Sequence, residues 1–218
     1  MKSTRLIAAL LAGSALPVAA QQWEVGVLAG GGFYLNNKVT GPGGSGSPGS
    51  GTVGFRPGFS AGGWVGHNSE GNLGGEVRYL FQKNDLKVSS PSASANFAGQ
   101  THLIHYDVVW HTNSREDRVR PYIAVGGGLK GYRGTGQERA VQPASQVAIL
   151  SRTSEWKPVL SFGAGVKWQV RARLMLRVEV RDYVTPFPKD VILPVPGNKV
   201  SGWAHDITPL VGLSYIFP

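Results

Sequence analysis

The stretch LMLRVEVRD, Leu174 to Asp182, repeats with a period of two residues, and that period narrows the folds open to the chain. On a strand, Leu176, Val178 and Val180 share one face while Arg177, Glu179 and Arg181 share the other. In a soluble sheet the charges would meet water and the valines a core. In a small membrane barrel the arrangement inverts, and three charged side chains are enclosed.

Eight segments carry such alternation or a comparable β-branched and aromatic content: Trp23–Tyr34, Gly58–His67, Leu73–Lys83, Gln100–His111, Arg120–Tyr132, Pro158–Val170, Leu174–Val184 and His205–Phe217. Most are about ten or more residues, enough for the ~9–11 that a tilted strand needs to cross a bilayer. The connections decide between the two arrangements. They run long, short, long, short, long, short, long, beginning with the Gly/Ser/Pro-rich LNNKVTGPGGSGSPGSGTVG and including the tight turn at Arg171 to Arg173. Outer-membrane barrels have short periplasmic turns and longer external loops, whereas a soluble sandwich has no reason to sort its loops so regularly. The expected fold is therefore all-β: an eight-stranded antiparallel up-and-down transmembrane β-barrel with four long, mobile external loops and short periplasmic turns.

The N-terminus agrees with export. Lys2 and Arg5 precede an apolar run from Leu6 to Leu16, and Val18 and Ala20 stand where a signal peptidase reads. Residues 1–20 are expected to be a cleaved signal peptide, cut between Ala20 and Gln21, and residues 21–218 a single barrel domain. The chain has no Cys, so burial and backbone bonding must hold it together without disulfides. Loss of Lys2 and Arg5 takes two from the formal charge of +9 and leaves +7. No nucleic-acid motif or dense basic block is present, so nucleic acid is not an expected partner. In an exported protein, anionic glycolipid is the natural counter-charge for loop cations such as Lys87, Arg133, Arg139, Arg152 and Lys199.

With the N-terminus on the periplasmic side, Trp23, Trp110, Trp168 and Phe217 fall at one height, the interface where aromatic rings collect. The lumen of an eight-stranded barrel is just wide enough to be filled by side chains. Glu76, Arg78, Asp107, Lys130, Lys167, Arg177, Glu179 and Arg181 are then expected to form a packed ionic network rather than line a pore. Two residues strain the scheme. Pro209 interrupts the last strand and calls for a bulge, and Asp182 falls on the lipid face near the outer end of its strand.

VRPYIAVGGGLKGY (Val119–Tyr132), LRVEVRDYV and the closing GLSYIF resemble the eight-stranded outer-membrane β-barrel family, the OmpA/OmpX-like small barrels. The resemblance covers nearly all of the chain after the signal. It implies an outer-membrane location, a monomer in contact with outer-membrane lipid and lipopolysaccharide, and no cofactor or metal. It also implies that Gly212, Tyr215 and Phe217 form the C-terminal signal read by the outer-membrane assembly machinery. No peptidoglycan-binding domain follows the barrel, so a cell-wall tether of that style is not implied.

Catalytic chemistry is thinly represented. His102 and His105 point to opposite faces of one strand and cannot share a metal. His105 and Asp107 share a face, as a base and its orienter would, but no serine is placed with them by local spacing. His111-Thr-Asn-Ser114 has the wrong spacing for the His-x-Ser order of outer-membrane deacylases. Gly30–Gly32 and Gly126–Gly128 lack the helix and Lys-Ser/Thr pair of a phosphate loop. The function expected is structural or surface-interactive, through envelope integrity, adhesion or ligand contact by the loops, without an open pore. The alternatives are a lipid-modifying deacylase or acyltransferase and a soluble exported barrel of lipocalin type. A closed barrel should stay folded in unheated SDS and change gel mobility on boiling. Coincident bands from a soluble fraction would place the valines in a core.

Overall fold

The computed structural model describes residues 22–42, 49–68 and 71–217. The expected cleavage site between Ala20 and Gln21 and the terminal Pro218 lie outside the described residues. The chain forms β1 (Gln22–Tyr34), β2 (Asn37–Thr40), β3 (Gly51–Phe55), β4 (Gly58–Asn68), β5 (Leu73–Lys83), β6 (Leu86–Ser89), β7 (Ser94–Phe97) and β8 (Gly99–His111). It continues with β9 (Val119–Gly134), β10 (Ala148–Leu150), β11 (Ser154–Arg171), β12 (Leu174–Thr185), β13 (Ile192–Pro194), β14 (Lys199–Val200) and β15 (Ala204–Ile216).

Eight of these close a barrel in the order β1-β15-β12-β11-β9-β8-β5-β4, and every neighbouring pair is antiparallel. The two ends of the sheet meet where β1 pairs with β15, from Glu24↔Ile216 to Tyr34↔Asp206. The alternation of the opening stretch has a definite sense. Val178 and Val180 are 52% and 51% exposed on the outer wall, while Arg177, Glu179 and Arg181 are at most 2% exposed within. The outward set also holds Val27, Val77, Ile104, Val108, Val125 and Leu160, an apolar belt around the barrel. This is the inverted arrangement, and the lipocalin-type alternative, which needs an apolar interior and a solvated exterior, does not describe it. From Trp23 to Phe33, β1 climbs roughly 25 Å at ~3.3 Å per residue and a tilt near 40°, the height of an outer-membrane apolar band.

Three local expectations are corrected. The Pro209 position holds no bulge: β12 and β15 keep one register through Val180↔Pro209. Pairing with β1 instead lapses between Gly30↔Leu210 and Phe33↔Ile207 and resumes in the same register. The missing N–H of proline is thus absorbed by a short gap opposite Gly31 and Gly32, where the glycines bring no side chain to crowd it. Pro158 does not begin its strand. β11 starts at Ser154, paired with Arg133, and Pro158 sits inside it opposite Leu129.

The third correction concerns the long loops, whose described residues form strands and a core of their own. β14, β2, β3, β6 and β7 form one sheet drawn from the fourth, first and second loops, and β10 pairs with β13 across the third and fourth. Beneath them Val39, Val53, Leu86, Val88, Val147, Leu150 and Ile192 form a buried apolar core. Phe55 continues that core down to the barrel rim, with its ring 4.6 Å from Tyr34 and 5.2 Å from Tyr132. The described loop residues together form a small cap on the barrel. Ile192→Ala should destabilise it by about 2–5 kcal/mol, the usual cost of removing a buried isoleucine side chain down to its Cβ. Hydrogen exchange should then quicken in β2, β3, β6 and β10 while the amides of the barrel strands keep their protection. Equal loss in both would mean that cap and barrel unfold as one unit.

Candidate functional site

The lumen is layered, and each layer follows from which inward positions share a height. Nearest the short turns, β1 contributes Glu24, β11 Lys167, β15 Ser214 and β4 Asn68. Lys167 Nζ donates to Glu24 at 2.6 Å, Ser214 Oγ at 2.7 Å and Asn68 Nδ2 at 3.4 Å. Arg177 reaches the same carboxylate at 3.5 Å and donates to Glu76 at 2.8 Å. One layer further in, Arg78 donates to Glu76 at 2.7 Å and pairs with Glu179. Arg181 donates to Glu76 and Asp107 at 2.8 Å and 2.7 Å and to Glu179 at 3.2 Å, while the Tyr122 hydroxyl also donates to Glu179.

Each of these three guanidiniums bridges two or more carboxylates, the geometry in which Arg outperforms Lys. Trp64 is buried in the same space. Arg177 stands 4.3 Å and Arg78 5.8 Å from its ring, a cation–π contact inside the barrel. Room for these long chains comes from glycine on the facing strands. A Cβ on Gly163 would lie 2.2 Å from Arg181 Cδ, and one on Gly26 would lie 2.4 Å from the Trp64 ring.

Above the ions Leu28, Leu80, Leu103, Val159, Tyr183 and Leu210 form a buried cluster with Trp64. Lys130 lies beyond it, paired with Asp206 and 4.7 Å from the Tyr34 ring. Of the eight residues expected to form the network, Glu76, Arg78, Asp107, Arg177, Glu179 and Arg181 meet directly, and Lys167 joins through Glu24. Lys130 belongs to a separate pair nearer the cap. Sequence reasoning missed Glu24, Asp206, Tyr122 and the inward side of Trp64. The parity of Glu24 with Leu28 and Tyr34 on β1, and of Asp206 with Leu210 and Ser214 on β15, carries that signal.

His105 and Asp107 are 3.1 Å apart, but deep in this packing. Asp107 is shared with Arg181, and the His105 ring lies edge-on to Tyr183 at 5.3 Å. Among the described residues no serine hydroxyl is bonded to His105. His102 faces outward, where its Nδ1 lies 2.8 Å from the Tyr79 hydroxyl.

Trp23, Trp110, Trp168 and Phe217 stand half-exposed on the outer wall at the end with the short turns, and the Phe217 N–H donates to the Trp23 carbonyl at 2.8 Å. Phe33, Phe59 and Trp156 form the counterpart at the other rim. Tyr215 and Phe217 point outward with rings 5.1 Å apart, whereas Gly212 faces the lumen. A Cβ on Gly212 would meet the Trp64 ring at 2.8 Å, so this glycine has a packing role as well. Asp182, on the outer wall, pairs with His205 at 2.9 Å.

The family model described as "Outer membrane protein beta-barrel domain" matches residues 6–217. The chain belongs to this family. Its place is the bacterial outer membrane. Among solved structures, Neisserial surface protein A is similar with a TM-score of 0.52 at 14% identity, over 91% of this chain and 98% of that one. The N-terminal β-barrel domain of Pseudomonas aeruginosa OprF gives a TM-score of 0.45 at 13% identity, over 89% of this chain and 97% of that one. Identities this low speak to the fold alone. No curated protein matches the sequence.

In this outer-membrane barrel, Glu179 accepts from Arg78, Arg181 and Tyr122 at once. Glu179→Ala should leave buried guanidiniums short of a counter-charge and destabilise the refolded barrel by about 3–5 kcal/mol. The urea midpoint of unfolding from lipid vesicles measures this, and an unchanged midpoint would mean that Glu179 is solvated.

Proposed function

We propose that this protein is a sealed outer-membrane barrel with a structural and surface-interaction role, presenting a folded cap outside the cell rather than conducting solutes. The observation that carries this reading is the stack of closures along one axis. The ionic layer is buried, the apolar layer around Leu80 and Leu103 lies above it, and the cap core lies above both.

A deacylase or acyltransferase reading draws no support from His105 and Asp107, because their ring and carboxylate are packed into the lumen away from the lipid. The outer rim supports contact with lipopolysaccharide. There Arg133, Arg152, His102 and Trp156 line a groove of about 390 Å³ at the level where anionic headgroups would lie. Arginine for phosphate and an interfacial Trp beside it are the residue types such a headgroup favours. Tyr215 and Phe217 point outward at the end of β15, where the assembly machinery would read them. The same closed ring needs no second copy, and a monomer is proposed.

Planar-bilayer recording of the refolded protein tests the sealed reading. The expected trace has no steady porin-scale steps at moderate voltage. Stable ohmic openings that vanish in Leu80→Trp would establish a conduit and overturn it.

A further inference from the structure

A cavity of about 620 Å³ opens at the end of the barrel with the short turns, and Arg120 of β9 lines it. Arg120 is only 4% exposed, its Nε has no partner, and no ion pair reaches its guanidinium among the described residues. Arg78 and Arg177 share the unpartnered Nε, but they and Arg181 each hold a carboxylate at 2.8 Å or less, as Arg120 does not. The surplus shows in the charges of the whole lumen. Five buried carboxylates, Glu24, Glu76, Asp107, Glu179 and Asp206, face five cations, Arg78, Lys130, Lys167, Arg177 and Arg181, before Arg120 is counted. Glu24, the buried acid of this mouth, is already engaged by Lys167, Ser214, Asn68 and Arg177. The Nε is buried without a partner while the rest of the guanidinium faces the cavity, so an oxyanion entering there can accept two parallel N–H bonds without first breaking an ion pair.

We propose that Arg120 anchors a binding site for a single carboxylate or phosphate group, borne by a ligand that enters from the periplasm. Lys167 and Arg115 line the same cavity and add positive potential around the anion. Exposed Glu116 and Asp117 on the cavity wall disfavour further negative charge. They select a ligand with one oxyanion on an otherwise neutral or cationic frame. The volume admits a fragment the size of a short peptide or a sugar. The site is separate from the outer-rim groove, and nothing in it requires the lumen to open.

The test uses the full barrel refolded in zwitterionic detergent, with calorimetric titration and the Arg Nε–Hε resonances as readouts. The probes are acetate, inorganic phosphate and an N-acetylated dipeptide with a free C-terminal carboxylate, each compared with chloride. A saturable shift of the Arg120 resonance is expected. Arg120→Gln should weaken binding tenfold or more, Arg120→Lys should retain part of it, and both should keep the heat-dependent gel shift of the folded barrel. Acetate or dipeptide binding above phosphate assigns a carboxylate ligand, and the reverse assigns a phosphate. A response confined to vesicles containing phosphatidylglycerol, absent in phosphatidylcholine alone, assigns the oxyanion to a lipid headgroup. Shifts that stay linear and match chloride, or an affinity unchanged in Arg120→Gln, would overturn the site.

Discussion

In hydrocarbon an unpaired backbone N–H or C=O has no water to turn to, so a sheet that crosses the outer membrane must close on itself. Nearly everything else here follows from the seam where β1 meets β15. Eight strands fix the width of the bore, and the bore is then too narrow for a free water column but wide enough for side chains that must fill it. Pro209 shows how little slack the closure leaves. Its missing N–H falls beside the seam, and the pairing lapses only across Gly31 and Gly32 before resuming in register.

An apolar lumen would fill the bore equally well by volume. It would also make each strand hydrophobic on both faces, and such segments pair indiscriminately before they fold. Inward charge avoids this at the cost of desolvation, which is tolerable only if every ion finds partners in the closed state. The three bridging arginines meet that condition with carboxylates from strands that are distant in sequence, as in Arg78 with Glu179 and Arg181 with Asp107. The network therefore acts as a cross-check on register. A strand slipped by one residue would turn its ions toward lipid and its valines into the bore. Glycines opposite the longest chains, Gly163 against Arg181 above all, belong to the same scheme.

Alternation and the sorting of loop lengths made the barrel legible in the sequence, because both are local properties of a strand and its connections. The identity of the partners across the bore was less accessible. Glu76, Arg78 and Arg181 could be placed inside by parity, but which carboxylate each arginine takes depends on the stagger of strands around the ring. Lys130 illustrates the limit: it shares the parity of the network yet lies too near the cap and pairs with Asp206. Trp64 was unreadable because the glycines beside it erase the alternation. The cap was hidden for a different reason. Its strands are two to five residues long, set in Gly/Ser/Pro-rich sequence, and their apolar core is assembled from all four loops. No single loop carries enough periodicity to announce it.

The closures are unevenly distributed along the axis, and that asymmetry divides the surfaces available for function. On the outer side the cap core packs onto the Tyr34–Phe55–Tyr132 stack at the barrel rim, beside the basic groove around Arg133 and Arg152. On the periplasmic side the polar lining continues to the mouth, and the charge balance kept so closely at Glu76 and Glu179 fails at Arg120. Arg120 takes no part in the bridging that joins Arg78, Arg177 and Arg181 to their carboxylates. The exception stands where the lumen reaches solvent, and a counter-charge there can be supplied from outside the chain.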